Sequence, residues 1–383
     1  MSGGAAGVSN DSENIFSEWR WPMTQASVIA TSSAPGDHVL PTDDDIFHHI
    51  AVLGVRELHF AHDPATDLHA IIAIHSTHLG PALGGARCLP YPSTREATLD
   101  AMRLARAMSY KAALAQLPCG GGKAVLLRPP EIRDRDAYFE AFGEFVNNLG
   151  GRFITAEDSG TSVEDMDRIA RRTRYVAGTS RLQGGRGDPS PWTALGVRRG
   201  IEAAVRHKLG RNDLKGIHVA IQGTGHVGYF LTRELIRAGA RVTVCDMNPE
   251  AVHRAEQVGA RAVAPEKILD VACDVFAPCA LGAALNSNTI ARLRAVIVAG
   301  AANNQLAEAS DAEALARRGI LYAPDYVINA GGLVSSVLTD DQSVERKVVA
   351  ICDTLTEIFE RAARSGETPT QVADRMAEQA LYD

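Results

Sequence analysis

Residues 217 to 248, "IHVAIQGTGHVGYFLTRELIRAGARVTVCDMN", read as a strand, a glycine turn, a helix and a second strand that ends in an acid. Gly223, Gly225 and Gly228 stand at the G-x-G-x-x-G spacing of a dinucleotide-binding turn. That spacing is weak by itself, and its context makes it strong: the turn follows "IHVAIQ", opens a helix and precedes Asp246 by 18 residues. Gly223 permits the tight turn, Gly225 lets backbone approach a pyrophosphate and Gly228 allows close helix packing, while the helix N-terminus offers amide donors to phosphate. Thr224, His226 and Val227 complete the cofactor-binding turn. An acid at Asp246 accepts from the adenosine ribose 2'-hydroxyl and repels a 2'-phosphate, so the expected cofactor is NAD.

Shorter strand-helix units continue downstream through "CDVFAPCA", "AVIVAGAANN" and "ILYAPDYVINAGG". This alternation predicts a doubly wound, mainly parallel sheet. Upstream, "DLHAIIAIHST" (67–77), "AVLL" (124–127) and "RFITA" (152–156) read as strands. "PSTREATLDAMRLARAMSYKAALAQL" reads as a helix capped by Ser93 or Thr94, and further helices fall at 135–150 and near 162–173. The composition breaks at "QGGRGDPSP" (183–191). Beyond 338, Val344, Val348, Ile351, Leu355, Ile358 and Ala362 recur at helical spacing before Gly366, and this helix is expected to pack across a cleft onto the first domain.

A chain of 383 residues suggests two domains. The expected architecture is α/β, with two domains flanking a cleft: residues 45–187 plus 338–383, and a Rossmann-like NAD-binding domain at 188–337. Residues 1–44 read as a flexible extension without the basic start and apolar core of a signal peptide, with Trp19 and Trp21 as a local anchor. A net charge of -7 without a basic stripe argues against nucleic acid or an anionic membrane as partner, and no apolar run reaches a membrane-spanning length. A small-molecule partner is expected. Six scattered cysteines, with no C-x-x-C pair and no histidine at zinc-ligand spacing, read as reduced thiols of a cytoplasmic protein with no metal.

The chain has six lysines against 33 arginines, and two of the six lie in "YKAALAQLPCGGGKAV" (110–125). A lysine can lose its proton when buried or set beside another cation, which an arginine in practice cannot. Lys111 shares an apolar helix face with Leu104, Met108 and Ala115, where a lone lysine often snorkels outward. The "CGGGK" run lacks the first glycine and the Ser or Thr of a Walker loop, so its glycines read as a turn that brings backbone close to a substrate, with Lys123 entering the next strand. Asp158, at the C-terminal end of "RFITAE", completes a candidate trio for acid-base chemistry.

"GPALGGAR", "ARAMSYKAALAQLPCGGGKAV", "FITAEDSGTSVEDMD", "APCALGAALN", "AGAANNQL" and "ILYAPDYVINAGG" together resemble the amino acid dehydrogenases acting on leucine, valine or phenylalanine, relatives of glutamate dehydrogenase, over roughly residues 45 to 380. The resemblance implies that Lys111 binds the substrate carboxylate, Lys123 is the general base and Asp158 relays protons to and from the amine. It implies that Asn303 holds substrate and nicotinamide, that Thr193, Cys279, Ala280 and Ala301 lie beside the cofactor, and that Leu83, Gly84, Ala156, Leu333 and Ser336 line the side-chain pocket. The reaction implied is hydride transfer from Cα to give an imine, water attack assisted by Lys123, and collapse to a 2-oxo acid and ammonia. A homo-oligomer, from dimer to octamer, is implied as well, with the first domain binding substrate and making subunit contacts.

Glutamate-specific relatives carry a lysine where this chain has Leu83, which favours apolar substrates here. Ser336 stands where aliphatic-selective members usually carry an apolar residue, so an aromatic substrate such as tryptophan, or a 2-oxo acid used in biosynthesis, stays open. Outside the family, a 2-hydroxy acid dehydrogenase would share the NAD domain but calls for a His and Arg pair. A non-catalytic NAD-binding regulator would have no need of Lys111, Lys123 and Asp158 together.

Overall fold

The computed structural model describes residues 45–183, 185–280 and 284–382, so the expected extension with Trp19 and Trp21 lies outside the described residues. The first sheet has five strands: β1 (Glu57–Asp63), β2 (Leu68–Ser76), β3 (Ala82–Leu89), β4 (Gly120–Leu127) and β5 (Phe153–Glu157). They lie in the order β1-β2-β4-β3-β5, with β1 and β4 antiparallel to β2 and with β3 parallel to both β4 and β5. Helices α1 (Ile46–Leu53), α2 (Thr94–Leu114), α3 (Arg135–Asn148) and α4 (Val163–Ala170) cover it.

Period-two alternation divides the sheet's two faces. Ala70, Ile72 and Ile74 of β2 and Ala124 and Leu126 of β4 pack with Phe139, Phe142 and Met166 of α3 and α4. Ile71, Ala73 and Val125 pack on the other side with Ala97, Ala101, Met102 and Ala105 of α2. Lys123, one strand period from Val125, therefore emerges beneath α2. Ser93 caps α2, its side chain accepting from the Glu96 N–H, which fits the expected start.

The glycines before Lys123 are not the expected turn. Gly120, Gly121 and Gly122 are buried residues of β4 itself. A Cβ on Gly121 would stand 2.0 Å from the Ser109 nitrogen of α2, and one on Gly120 would stand 1.9 Å from the Ser76 carbonyl oxygen of β2. The run is glycine because helix and neighbouring strand press directly on its backbone, and this close seating brings Lys111 on α2 over Lys123 on β4. The chain reverses earlier, at Gln116 (φ 52).

The second sheet contains β6 (His218–Gln222), β7 (Arg241–Cys245), β8 (Arg261–Ala262), β9 (Val275–Pro278), β10 (Ile297–Val298) and β11 (Leu321–Tyr322). All are parallel, in the order β11-β10-β9-β6-β7-β8, the doubly wound arrangement expected. Around it lie α5 (Ser190–Leu209), α6 (His226–Arg237), α7 (Pro249–Gln257), α8 (Ser287–Arg292), α9 (Ser310–Arg317), α10 (Asp325–Ile328) and α11 (Gly331–Val337). Val219, Ile221 and Val244 pack with α5 and α6 on one face, while Ala220, Phe276 and Val298 meet Ile290 and Leu315 of α8 and α9 on the other.

The C-terminal region differs from expectation. The apolar repeat forms two helices, α12 (Asp341–Val349) and α13 (Ile351–Ser365), and Gly366 ends the second with φ 75 and an N–H donated to Ala362 O. Val344, Val348, Ile351 and Leu355 pack against Val197 and Ile201 of α5, so this stretch meets the first domain just past α2, where Lys347 Nζ donates to Gln116 O over 3.2 Å, without packing along α2. A further helix, α14 (Pro369–Tyr382), makes that contact: Ala377 and Leu381 pack on Tyr110 and Ala113 of α2, and the Tyr110 hydroxyl donates to Glu378 over 2.6 Å. Apolar spacing marked the buried face but carried no information about which helix would cover it.

Candidate active site

Three of the expected residues meet beneath α2. Lys111, near the end of α2, and Lys123, on β4, are both buried, at 8% and 4% exposure. Lys111 does not snorkel; its ammonium donates to Asn303 Oδ1 over 3.4 Å. Asp158 follows β5 directly and places Oδ2 2.7 Å from Lys123 Nζ and 3.0 Å from Arg87 Nε. Arg87, on β3, also pairs with Asp100 of α2 over 3.0 Å, and Asp100 in turn accepts from the Tyr91 hydroxyl.

Arg87 was not among the residues expected, although "GPALGGAR" contains it. Its effect is electrostatic. Burial alone would raise the Asp158 pKa, but Lys123 and Arg87 outweigh it and hold this carboxyl well below the usual carboxylate range. Burial lowers the Lys123 pKa, Asp158 opposes that, and the Arg87 charge adds to it. A guanidinium keeps its proton, so Asp158 retains a counter-charge whichever state Lys123 adopts. Of Lys123, Asp158 and Arg87, Lys123 is the one whose pKa is shifted on balance towards the neutral form, chiefly by burial. Lys111 is lowered to about 8, chiefly by burial and also by Lys123, against the raising influence of Asp325 and Asp158.

Asn303 lies on the loop after β10. Its Oδ1 also accepts from Asn329 Nδ2 over 2.8 Å, and the same amide of Asn329 donates to Ala301 O over 3.0 Å. Gln305 Nε2 donates to Gly300 O and Ala302 O, fixing the rest of the loop. Neither Asn329 nor Gln305 was singled out from sequence; both lie inside motifs quoted for the resemblance, and their roles depend on bonds that only the fold makes.

Of the pocket residues, Leu83 and Gly84 lie on β3 beside Ile154 and Thr155 of β5, and Gly85 is beside Ala156. Leu83, Ala156 and Leu333 are buried in one apolar cluster. A Cβ on Gly84 would stand 1.8 Å from the Gly122 carbonyl oxygen, so this glycine serves the contact of β3 with β4. Ser336, on α11, donates its hydroxyl to Gly332 O of the same helix over 3.0 Å. That bond satisfies its polar hydrogen within the helix, which lessens its departure from an apolar residue. Thr193, at the start of α5, meets the "NAGG" glycines: Cβ atoms on Gly331 and Gly332 would lie 2.2 Å from Trp192 O and 2.6 Å from Thr193 Oγ1.

The dinucleotide turn has the expected form. Gly223 has φ 96, and a Cβ there would meet Ala280 N at 2.8 Å; one on Gly228 would meet Gly223 O at 2.0 Å; at Gly225 nothing lies within 4 Å. Space opens where phosphate is expected, and no side chain caps the N-terminus of α6, so its N–H groups face outward from His226 onward. Cys279, Ala280 and Ala301 lie at the ends of β9 and β10, at the same edge of the sheet. Asp246 follows β7; its Oδ2 accepts from Thr224 N–H over 2.6 Å and its Oδ1 from Asn248 N–H over 2.8 Å. These features fit a nicotinamide dinucleotide. Among the described residues, His62, Asp67 and His69 on the β1–β2 hairpin are close enough to share an ion, and they are exposed on that hairpin, outside the lysine site.

Fold and site together define a dehydrogenase with a Rossmann-type turn on one sheet and a buried pair of lysines beside the other. A family model for "Glu/Leu/Phe/Val dehydrogenase, dimerisation domain" matches residues 56–175, and one for "Glutamate/Leucine/Phenylalanine/Valine dehydrogenase" matches residues 248–380. The chain is 48% identical to a leucine dehydrogenase of Thermoactinomyces intermedius, covering 88% of this chain and 93% of that protein. It is 44% identical to a valine dehydrogenase of Streptomyces virginiae, covering 86% and 94% respectively. The crystal structure of L-tryptophan dehydrogenase from Nostoc punctiforme superposes with a TM-score of 0.74 at 42% identity, covering 88% of this chain and 98% of that one. The chain belongs to the glutamate/leucine/phenylalanine/valine dehydrogenase family and is an amino acid dehydrogenase.

Proposed function

We propose that this protein catalyses the reversible, NAD-dependent oxidative deamination of an apolar L-amino acid to its 2-oxo acid and ammonia. The observation that carries the reading is the buried pair of lysines with Asp158 bound to only one of them. Lys111, not engaged by Asp158, holds the substrate carboxylate. Asp158 stays ionised between Lys123 and Arg87 and accepts a hydrogen bond from the substrate nitrogen. The bound dinucleotide supplies the hydride acceptor for Cα. Lys123, neutral in the working form, takes a proton from water as that water attacks the imine carbon, and returns it as the carbinolamine releases ammonia. Residues 45–187, with α14 packed on α2, serve as the substrate and oligomerisation unit, the residues from 188 through α12 and α13 serve as the NAD unit, and closure of the cleft excludes bulk solvent from the reacting carbon.

An apolar side chain is favoured because Leu83, Gly84, Ala156, Leu333 and Ser336 include no cation, so a side-chain carboxylate would be buried unpaired. The near relatives named for leucine, valine and tryptophan agree in lacking an acidic substrate. NADH formation with L-leucine, L-valine, L-phenylalanine, L-tryptophan and L-glutamate ranks the substrates; turnover is expected with apolar members, and a preference for L-glutamate would overturn the assignment.

NAD is favoured over NADP by Asp246. Replacing Asp246 with serine removes both the repulsion of a 2'-phosphate and the charged acceptor of the ribose 2'-hydroxyl. A lost bond to a charged acceptor is worth about 1.5–3 kcal/mol, so KM for NAD should rise roughly tenfold to a hundredfold while NADP gains relative to NAD. An unchanged ratio of the two cofactors' kcat/KM would remove Asp246 from cofactor selection. The dimerisation-domain match supports a homo-oligomer, and six free thiols are in keeping with a cytoplasmic setting.

A further inference from the structure

We infer that Asp325, half-buried at the start of α10, is a positioning residue for the substrate carboxylate: it is the counter-ion that holds the Lys111 ammonium in its buried place. The inference rests on the amino acid dehydrogenase reading above. Lys111 has no ion-pair partner within bonding distance among the described residues. Asp158 lies closer to Lys123 and Arg87, and the contact to Asn303 is a long 3.4 Å. A buried ammonium needs an opposite charge nearby or it sheds its proton.

Asp325 supplies that charge. Its Oδ1 accepts from Tyr326 N–H over 2.8 Å and its Oδ2 from Gln305 N–H over 3.1 Å, which fixes the carboxylate at the wall of a small cavity shared with Lys111, Lys123 and Asn303. The bond to Gln305 also ties Asp325 to the loop that carries Asn303, so one acid places two groups at the substrate position. From other elements, Lys123 of β4 and Asp158 after β5 face Lys111, while Tyr322 of β11, Tyr326 of α10 and Asp374 of α14 surround Asp325. Burial pushes both tyrosine hydroxyls upward, so they remain neutral, and Asp374 accepts from the Tyr326 hydroxyl. Burial raises the Asp325 pKa, and the Gln305 N–H, the Lys111 charge and the Tyr326 N–H oppose that shift; Lys111 is the cation that Asp325 faces.

The sign of the effect follows. Lys111 is charged below about 8 with Asp325 in place, and loss of the Asp325 charge lowers that value further. Asp325→Asn should therefore raise KM for L-leucine about tenfold at mildly alkaline pH and leave kcat within about threefold. The pH at which KM begins to climb should move down by about one unit or more, the usual influence of a close opposite charge. A KM profile that superimposes on that of the unaltered protein, including one accompanied by a fall in kcat alone, would overturn the inference.

Absence of turnover with any amino acid in the unaltered protein would instead overturn the parent reading, and this one with it. A second measurement does not depend on activity. Asp325→Asn leaves Lys111 buried and uncompensated, so the double variant Asp325→Asn, Lys111→Met should melt higher than Asp325→Asn alone, or be recovered folded where the single variant is not. A double variant that melts no higher than the single one would refute the pairing.

Discussion

Replacing Lys123 with methionine is expected to lower kcat by about a thousandfold, within the range that a positioned general base supplies. Methionine fills similar space, and Asp158 keeps the Arg87 guanidinium at 3.0 Å, so the substitution does not strand a buried carboxylate. NADH binding should be unchanged, since the glycine turn at Gly223 to Gly228 belongs to the other sheet. Arginine at position 123 should be no more active than methionine, because a guanidinium cannot accept the proton at working pH. Turnover within tenfold of the unaltered protein would show that another group is the base. This experiment separates a chemical role for Lys123 from a role in placing Asp158, which the arginine variant preserves.

The second large effect concerns stability. Gly121→Ala would place a Cβ 2.0 Å from the Ser109 nitrogen and 2.5 Å from its Cα, and both atoms are helix backbone that no rotamer change can move. Either α2 must lift off the sheet or β4 must bend. Overpacking of this kind costs about 3 kcal/mol or more, a fall in melting temperature on the order of 10 °C for a unit of this size. Gly150→Ala is the control: its φ is 61, yet nothing lies within 4 Å of the added carbon, so only about 1 kcal/mol of left-handed backbone strain is expected. Comparable melting temperatures for the two variants would contradict the role given to the glycine run. Any Gly121→Ala protein that does fold should also lose activity, because lifting α2 carries Lys111 away from Lys123.

These two residues mark how far the sequence could be read. The dinucleotide turn was legible because each of its requirements is local: a strand, glycines at fixed spacing, a helix start and an acid after the next strand. The trio of Lys111, Lys123 and Asp158 was legible because lysine is rare in this chain. The glycines between the lysines were misread as a turn. In sequence a glycine run looks the same whether it frees the backbone or makes room for a neighbour, and the neighbours that decide it, Ser76, Ser109 and Phe153, lie elsewhere in the chain.

Arg87, Asp325 and Asn329 were missed for a related reason. Each is an ordinary polar residue until the fold sets it beside a group it can bind or oppose. The C-terminal helices teach the same point about packing, since the apolar stripe from Val344 to Ala362 fits α5 as well as it would have fitted α2. The extra helix α14 packs Ala377 and Leu381 on α2, a contact for which its four buried residues gave little signal.

The central claim is that one buried amine holds the substrate while the other moves the proton that turns an imine into a 2-oxo acid. Its most direct test is a product balance with L-leucine deuterated at Cα and NAD, run on the unaltered protein and on Lys123→Met. The account predicts equal amounts of deuterated NADH, ammonia and 2-oxo acid from the unaltered protein, and from the variant no more than a single bound equivalent of deuterated NADH, with ammonia and 2-oxo acid released about a thousandfold more slowly. A variant that releases ammonia at the unaltered rate, or an unaltered protein that binds NADH and yields none of these products from any amino acid, would contradict it.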